Sequence, residues 1–282
     1  MIRPMIRQLA LSTALALALC ACSSRQAAPT GNSASSSSST SAPAASTSGS
    51  TSSSGQSTGS ATSGTSAAAA SNSPLALPTS SQWRPGVNYS VISPAQPTNA
   101  PPGKVQVMEV FWLACPHCYA LEPYIQAWRK SKPDYVQFVR VPVMWGPIQR
   151  AHARLYYTFE ALGRKDLIDQ AFHYIHDQEM QTNSESILIG SSKADTMHQM
   201  QAFAGKYGIA PTAFANAYSS FDVSTRLQQA QEINQVYEID SVPTVIVDGR
   251  YRTDVGKAGG ENQLIALINF LTAWDHTHQQ GS

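Results

Sequence analysis

The chain has 282 residues, 13% of them charged, and a formal net charge of +1. That balance gives no electrostatic footprint for nucleic acid. The length admits two domains, but residues 23–80 are nearly all Ser, Ala, Thr and Gly, which excludes a folded domain there.

Residues 1–22 read as an envelope-export signal. Arg3 and Arg7 form a positive start, and Leu9 to Leu19 is an apolar core too short to span a bilayer comfortably. Leu19-Cys20-Ala21-Cys22 has the pattern of a bacterial lipobox, with Cys22 as the residue to be acylated. Cleavage before Cys20 would put bulky Leu19 at −1. Cys20 at −2 is irregular, so ordinary signal-peptidase cleavage stands as the alternative. Residues 23–80 then form a disordered tether whose root-mean-square span is on the order of 40 Å. Of four cysteines, Cys115 and Cys118 are the free thiols left to the folded part, in an oxidising compartment.

Gly86–Ile92 reads as an edge strand, and Ser93–Gly103, with four prolines, as a loop. Val105–Trp112 is apolar on both faces, the pattern of a covered central strand. Glu109 interrupts it. A side chain escaping at a strand end is one reading, but the mid-run position, six residues before Cys115, favours a buried acid near the thiols.

Cys115-Pro116-His117-Cys118 follows, and Leu121, Ile125 and Trp128 continue at helical spacing. The first cysteine therefore lies at a helix N-terminus, where unpaired N–H groups and the helix dipole favour a thiolate. The spacer returns Cys118 within bonding reach one turn later. A structural disulfide here would close a loop too short to remove much chain entropy. Zinc takes about four ligands, and the folded part holds no further cysteine. Haem attachment needs His after the second cysteine, where Tyr119 stands. Redox chemistry at Cys115 and Cys118 is the reading that remains, with no cofactor and no metal.

Tyr135–Pro142 is a third strand, in which Arg140 is either the partner of Glu109 or a solvated edge residue. An unpaired buried charge would be costly. Ala151–Leu162, Asp166–His176, Ala194–Tyr207, Pro211–Tyr218 and Ser224–Tyr237 follow as helices. Their histidines, His152, His173, His176 and His198, show no metal-ligand spacing and read as surface or partly buried. Ser241–Tyr251 holds an Asp248-Gly249 hairpin turn, and Glu261–Trp274 closes as an amphipathic helix. The order defines an α/β, thioredoxin-like fold with an inserted all-helical domain: residues 81–146 and 239–282 form the first and second parts, and 147–238 the insertion.

Cys-Pro-His-Cys, Glu109 before it, Arg140 in the next strand and Val242-Pro243 before the hairpin resemble the DsbA family of bacterial envelope thiol–disulfide oxidases, over roughly Val87 to Trp274, here in a lipoprotein form. The resemblance implies that Val242–Pro243 is a cis peptide beside the active site, presenting backbone to an incoming peptide. Arg140 stands where better-known members have lysine, and Ala114 where an aromatic is expected. The implied reaction is donation of the Cys115–Cys118 disulfide to newly exported proteins. A substrate thiolate attacks the exposed Cys115 sulfur, and Cys118 resolves. Helix N-terminus, His117 and backbone donors supply a low thiol pKa, and Glu109 moves protons at Cys118.

The implied partners are reduced exported polypeptides and a DsbB-like, quinone-linked reoxidase of the inner membrane. A monomer is expected, held to a membrane by the lipid on Cys22. Ser23 after it leans toward the outer membrane. The competing readings are a disulfide reductase or isomerase, and a Cu(I) carrier using the same two thiols.

Overall fold

The structure, a computed structural model, describes residues 77–279. The expected signal, Cys22 and residues 23–76 of the expected tether lie outside the described residues. In chain order the elements are Ser90–Val91 (β1), Val105–Phe111 (β2), Pro116–Ser131 (α1), Val136–Pro142 (β3), Pro147–Ala161 (α2), Asp166–Thr182 (α3), Lys193–Gly205 (α4), Pro211–Tyr218 (α5), Phe221–Val236 (α6), Thr244–Val247 (β4), Tyr251–Thr253 (β5), Val255–Ala258 (α7) and Glu261–Gln279 (α8).

One mixed sheet, ordered β1-β5-β4-β2-β3, carries the chain. β2 and β3 run parallel and are joined through α1, while β4 is antiparallel to both β2 and β5. Every residue of β2 is buried, as its apolar run on both faces requires. Val105 and Val107 pack with Leu121 and Ile125 of α1 and Leu264, Leu267, Ile268 and Leu271 of α8. Met108 and Val110 belong to the opposite face, with Leu155 and Phe159 of α2 and Ala230 of α6. α1 and the helical insertion thus lie on opposite sides of the same strand. The architecture is α/β and thioredoxin-like, with five helices between β3 and β4.

The hairpin follows from local chemistry. Asp248 and Gly249 have φ of 49° and 63°, as a two-residue turn of this kind requires. A side chain at Gly249 would meet the Gln96 carbonyl oxygen at 2.0 Å. The edge strand β3 is not bare: Lys132 Nζ donates to the Val136 carbonyl at 2.6 Å, Asn234 Nδ2 to that of Pro142 at 3.2 Å and the Tyr156 hydroxyl to that of Arg140 at 3.5 Å. At the other edge, β1 has only two residues.

Four expectations change. The first strand shrinks to Ser90–Val91, because Asn88 accepts from Arg84 N–H and donates to the Lys257 carbonyl, turning the chain there. α6 begins at Phe221 rather than Ser224, since Ser220 caps it by accepting from Val223 N–H at 3.2 Å. α7 was not expected; Asp254 caps it. Finally, Pro78 and Ser80, assigned to the tether, are tied to the domain. The buried Tyr89 hydroxyl donates to the Pro78 carbonyl, and Ser80 Oγ accepts from Trp83 N–H at 2.9 Å.

Candidate active site

β2 delivers the chain to the N-terminus of α1, and Cys115 is the N-cap of that helix. Pro116 fits the first helical position, where no N–H is needed. Cys115 Sγ accepts from Cys118 N–H at 3.5 Å and, as a thiol, donates to the Val242 carbonyl at 3.6 Å. The Val242–Pro243 peptide is cis. Both cysteines are free thiols in this structure. Cys118 is fully buried, and Cys115 is only 6% exposed. The exposed sulfur expected at Cys115 is therefore a covered one, because the segment at Val242 lies over it.

The two thiols are displaced in opposite directions. Cys115 is lowered to about 6, first by the hydrogen bond from the Cys118 thiol, then by the N–H groups of Cys118 and His117 and the nearby His117 charge, with burial opposing. Cys118 is pushed well up, first by burial, then by the hydrogen bond and charge of Cys115 and by the charge of Glu109. A thiol held as thiolate beside one held as thiol is the division of labour that exchange needs. His117 itself is exposed and contributes chiefly through its backbone.

Behind the pair lies a buried charge cluster. Glu109 and Arg140 sit opposite each other in the β2–β3 register, and Arg140 Nε donates to Glu109 Oε2 at 2.7 Å. Arg140 Nη2 donates to Glu122 Oε2 on α1. Arg140 is the partner of Glu109, not a solvated edge residue, and its guanidinium also lies 5.6 Å from the Phe111 and Phe138 ring centres. Two carboxylates share one cation, and Glu109 Oε1 and Glu122 Oε1 are buried without a hydrogen-bond partner. Burial raises Glu122 to about 7, with Arg140 opposing and Glu109 adding. Among the described residues no group of three or more His, Cys, Asp or Glu could hold a metal ion.

Ala114 is buried. His152 and His176 are buried too, which corrects their reading as surface or partly buried residues, whereas His173 and His198 are exposed. Sequence reasoning passed over Glu122. Its signal was its position four residues after Cys118 and one after Leu121, on the buried stripe of α1.

A helix N-terminal Cys-x-x-Cys with opposed thiols, on a thioredoxin-like sheet with a helical insertion, defines a thiol:disulfide oxidoreductase. Residues 106–264 match the family described as DSBA-like thioredoxin domain. The chain is 35% identical over 187 residues to the thiol:disulfide interchange protein DsbA of Azotobacter vinelandii, covering 65% of this chain and 82% of that one. It is 37% identical over 187 residues to the protein of that name from Burkholderia cepacia, covering 66% and 82%. The crystal structure of Pseudomonas aeruginosa DsbA superposes with a TM-score of 0.62 at 31% identity, covering 70% of this chain and 97% of that one. The chain belongs to the DsbA family of thiol–disulfide oxidases.

Proposed function

We propose that the protein donates the Cys115–Cys118 disulfide to reduced polypeptides exported to the periplasm. A substrate thiolate attacks Cys115 Sγ, the Cys115–Cys118 bond breaks, and Cys118 leaves and takes a proton. A second substrate thiolate attacks the substrate sulfur of the mixed disulfide and expels Cys115 as thiolate. The substrate is oxidised by two electrons, and the protein is left as the dithiol. The observation that carries this reading is the opposed displacement of the two thiols: Cys115 leaves easily from a mixed disulfide because its anion is held by the Cys118 thiol and by N–H groups.

Glu109 is the proton carrier for Cys118 in this reading. Its charge reaches the Cys118 thiol, and its second oxygen has no protein partner. Val242 and Pro243 form the substrate-facing wall, supported by the contact of the Val242 carbonyl with Cys115 Sγ. Arg140 is the charge partner of Glu109 within the core. A DsbB-like membrane partner reoxidises the dithiol, and the protein works as a monomer held by lipid on Cys22 through the 23–80 tether, on the outer membrane. Family membership supports the periplasmic setting, and the lipobox pattern alone supports the anchor.

Equilibration of the purified protein with glutathione redox buffers, beside oxidation of a reduced dithiol peptide, tests the reading. A couple more oxidising than glutathione and rapid peptide oxidation are expected. A couple more reducing than glutathione would overturn it in favour of a reductase.

A further inference from the structure

His152 lies on α2, in the helical insertion, and is 1% exposed. Both of its ring nitrogens are engaged. Trp112 Nε1 donates to Nδ1 at 3.0 Å, and Nε2 lies 2.8 Å from the Ile187 carbonyl oxygen. An indole N–H only donates and a carbonyl only accepts, so Nδ1 carries the lone pair and Nε2 the proton. The ring is locked as one neutral tautomer, and burial holds its pKa down at about 4.

Each end of this bridge sits at a constrained backbone. Trp112 directly follows β2, and its carbonyl accepts from Cys115 N–H at 3.1 Å, closing the turn that presents the cysteine. At the other end, Ile187 precedes Leu188, a buried residue with φ of 65°. That is a left-handed conformation which a bulky side chain rarely adopts and which persists only where its surroundings enforce it. One imidazole therefore ties three segments together: α2, the α3–α4 connection, and the turn into the catalytic helix.

We propose that His152 is a positioning residue for Cys115, acting through Trp112 to hold the Trp112–Cys115 turn against the helical insertion. The turn so held keeps Cys115 Sγ on the N–H groups of His117 and Cys118. Without the acceptor at Nδ1 the indole is left with a buried, unpaired N–H and shifts toward another partner. The turn then loosens, and the thiolate loses part of its hydrogen bonding. The helical insertion thereby takes part in setting the redox character of the cysteine pair. The inference rests on Cys115 being the reactive, acidic cysteine.

The side-chain geometry supplies the test. His152→Asn keeps an acceptor near the Nδ1 position and loses the donor to Ile187. His152→Gln keeps a donor near Nε2 and loses the acceptor for the indole. Trp112→Phe removes the indole N–H. Thiolate absorbance of the reduced protein gives the Cys115 titration, and equilibration with glutathione gives the potential. His152→Gln and Trp112→Phe are expected to lower the thiolate fraction at pH 6 by several-fold and to make the couple less oxidising. The double variant is expected to do no more than either single one, and His152→Asn to stay near wild type in both readouts.

Wild-type titration and potential in folded His152→Gln and Trp112→Phe would overturn the inference, as would fully additive effects in the double variant. If His152→Gln does not fold, Trp112→Phe against His152→Asn still decides: equal shifts in both reject it. A wild-type Cys115 that titrates as an ordinary thiol is a different result, because it rejects the proposed function itself.

Discussion

Glu109 and Arg140 stand opposite each other on parallel neighbouring strands, joined at 2.7 Å inside the sheet, with the guanidinium also reaching Glu122 on the catalytic helix. One cation is shared by two buried carboxylates, and Glu122, raised to about 7, is the one whose charge changes near neutrality. A buried ion pair is weak evidence for stability, but breaking one by removing a partner is costly.

Arg140→Met leaves both carboxylates uncompensated. The expected loss at pH 8 is about 3–5 kcal/mol, read from urea unfolding. Glu122 has a folded pKa raised to about 7 from 4.5, so its protonated form suits the fold. Its contribution is present below the unfolded value and lost as pH rises through about 7. The penalty of Arg140→Met should therefore shrink toward pH 5. Equal losses at pH 5 and pH 8 would show that the charge balance is not the cause.

Cys118→Ala and His117→Ser separate the groups that hold the Cys115 thiolate. The Cys118 thiol is the largest contribution and the His117 charge the smallest, and the N–H of residue 117 survives replacement by serine. Cys118→Ala should raise the Cys115 pKa more than His117→Ser does, as read by thiolate absorbance. Cys118→Ala should also accumulate mixed disulfides on non-reducing gels: the Cys115 thiolate attacks the disulfide of an already oxidised exported protein, one substrate sulfur leaves as thiolate, and no Cys118 is present to displace the other. A larger shift in His117→Ser would reverse the assignment.

The reduced protein should be more stable than the oxidised one. Cys115 is depressed to about 6 from 9.0, so its contribution is fully present above the unfolded pKa and lost as pH falls through about 6. The disulfide form has no thiolate, and its loop is too short to gain much from lost chain entropy. Cys118, raised by burial, works against the reduced form once pH exceeds its unfolded pKa. The advantage should therefore grow from pH 6 toward pH 9 and be absent near pH 3, with the reduced form melting several degrees higher at pH 8. A more stable oxidised form at pH 8 would contradict the oxidase reading.

Cys22→Ser should release the protein from membranes and leave peptide oxidation by the soluble protein unchanged. Fractionation of cells expressing each form checks it. A variant still found with the membrane would point to an anchor other than lipid on Cys22.

The parts of the fold that could be read in advance are those whose cause is local. β2 has an unbroken apolar run, α5 starts at a proline and stops at Tyr218, and Asp248-Gly249 is suited to only a few turns. Cys115 could be placed at a helix N-terminus for the same reason. Its covering could not be read from local pattern, because the Val242 carbonyl comes from 127 residues further along the chain; only the family resemblance placed Val242–Pro243 beside it. Glu122 was hidden by a similar cause. A single acid in an amphipathic helix reads as solvated until the register sets it against Arg140. His152 looks like any helical histidine until Trp112 and Ile187 claim its two nitrogens.

The guarded sheet edges matter for a protein whose proposed clients arrive unfolded. An unfolded chain is rich in extended segments seeking an open strand to pair with, and a long bare edge would template such pairing. Here the carbonyls of Val136, Arg140 and Pro142 on β3 are occupied by Lys132, Tyr156 and Asn234, and β1 offers two residues at the opposite side. An extended segment arriving at β3 finds three of its carbonyls already taken, so that edge offers a poor template for pairing.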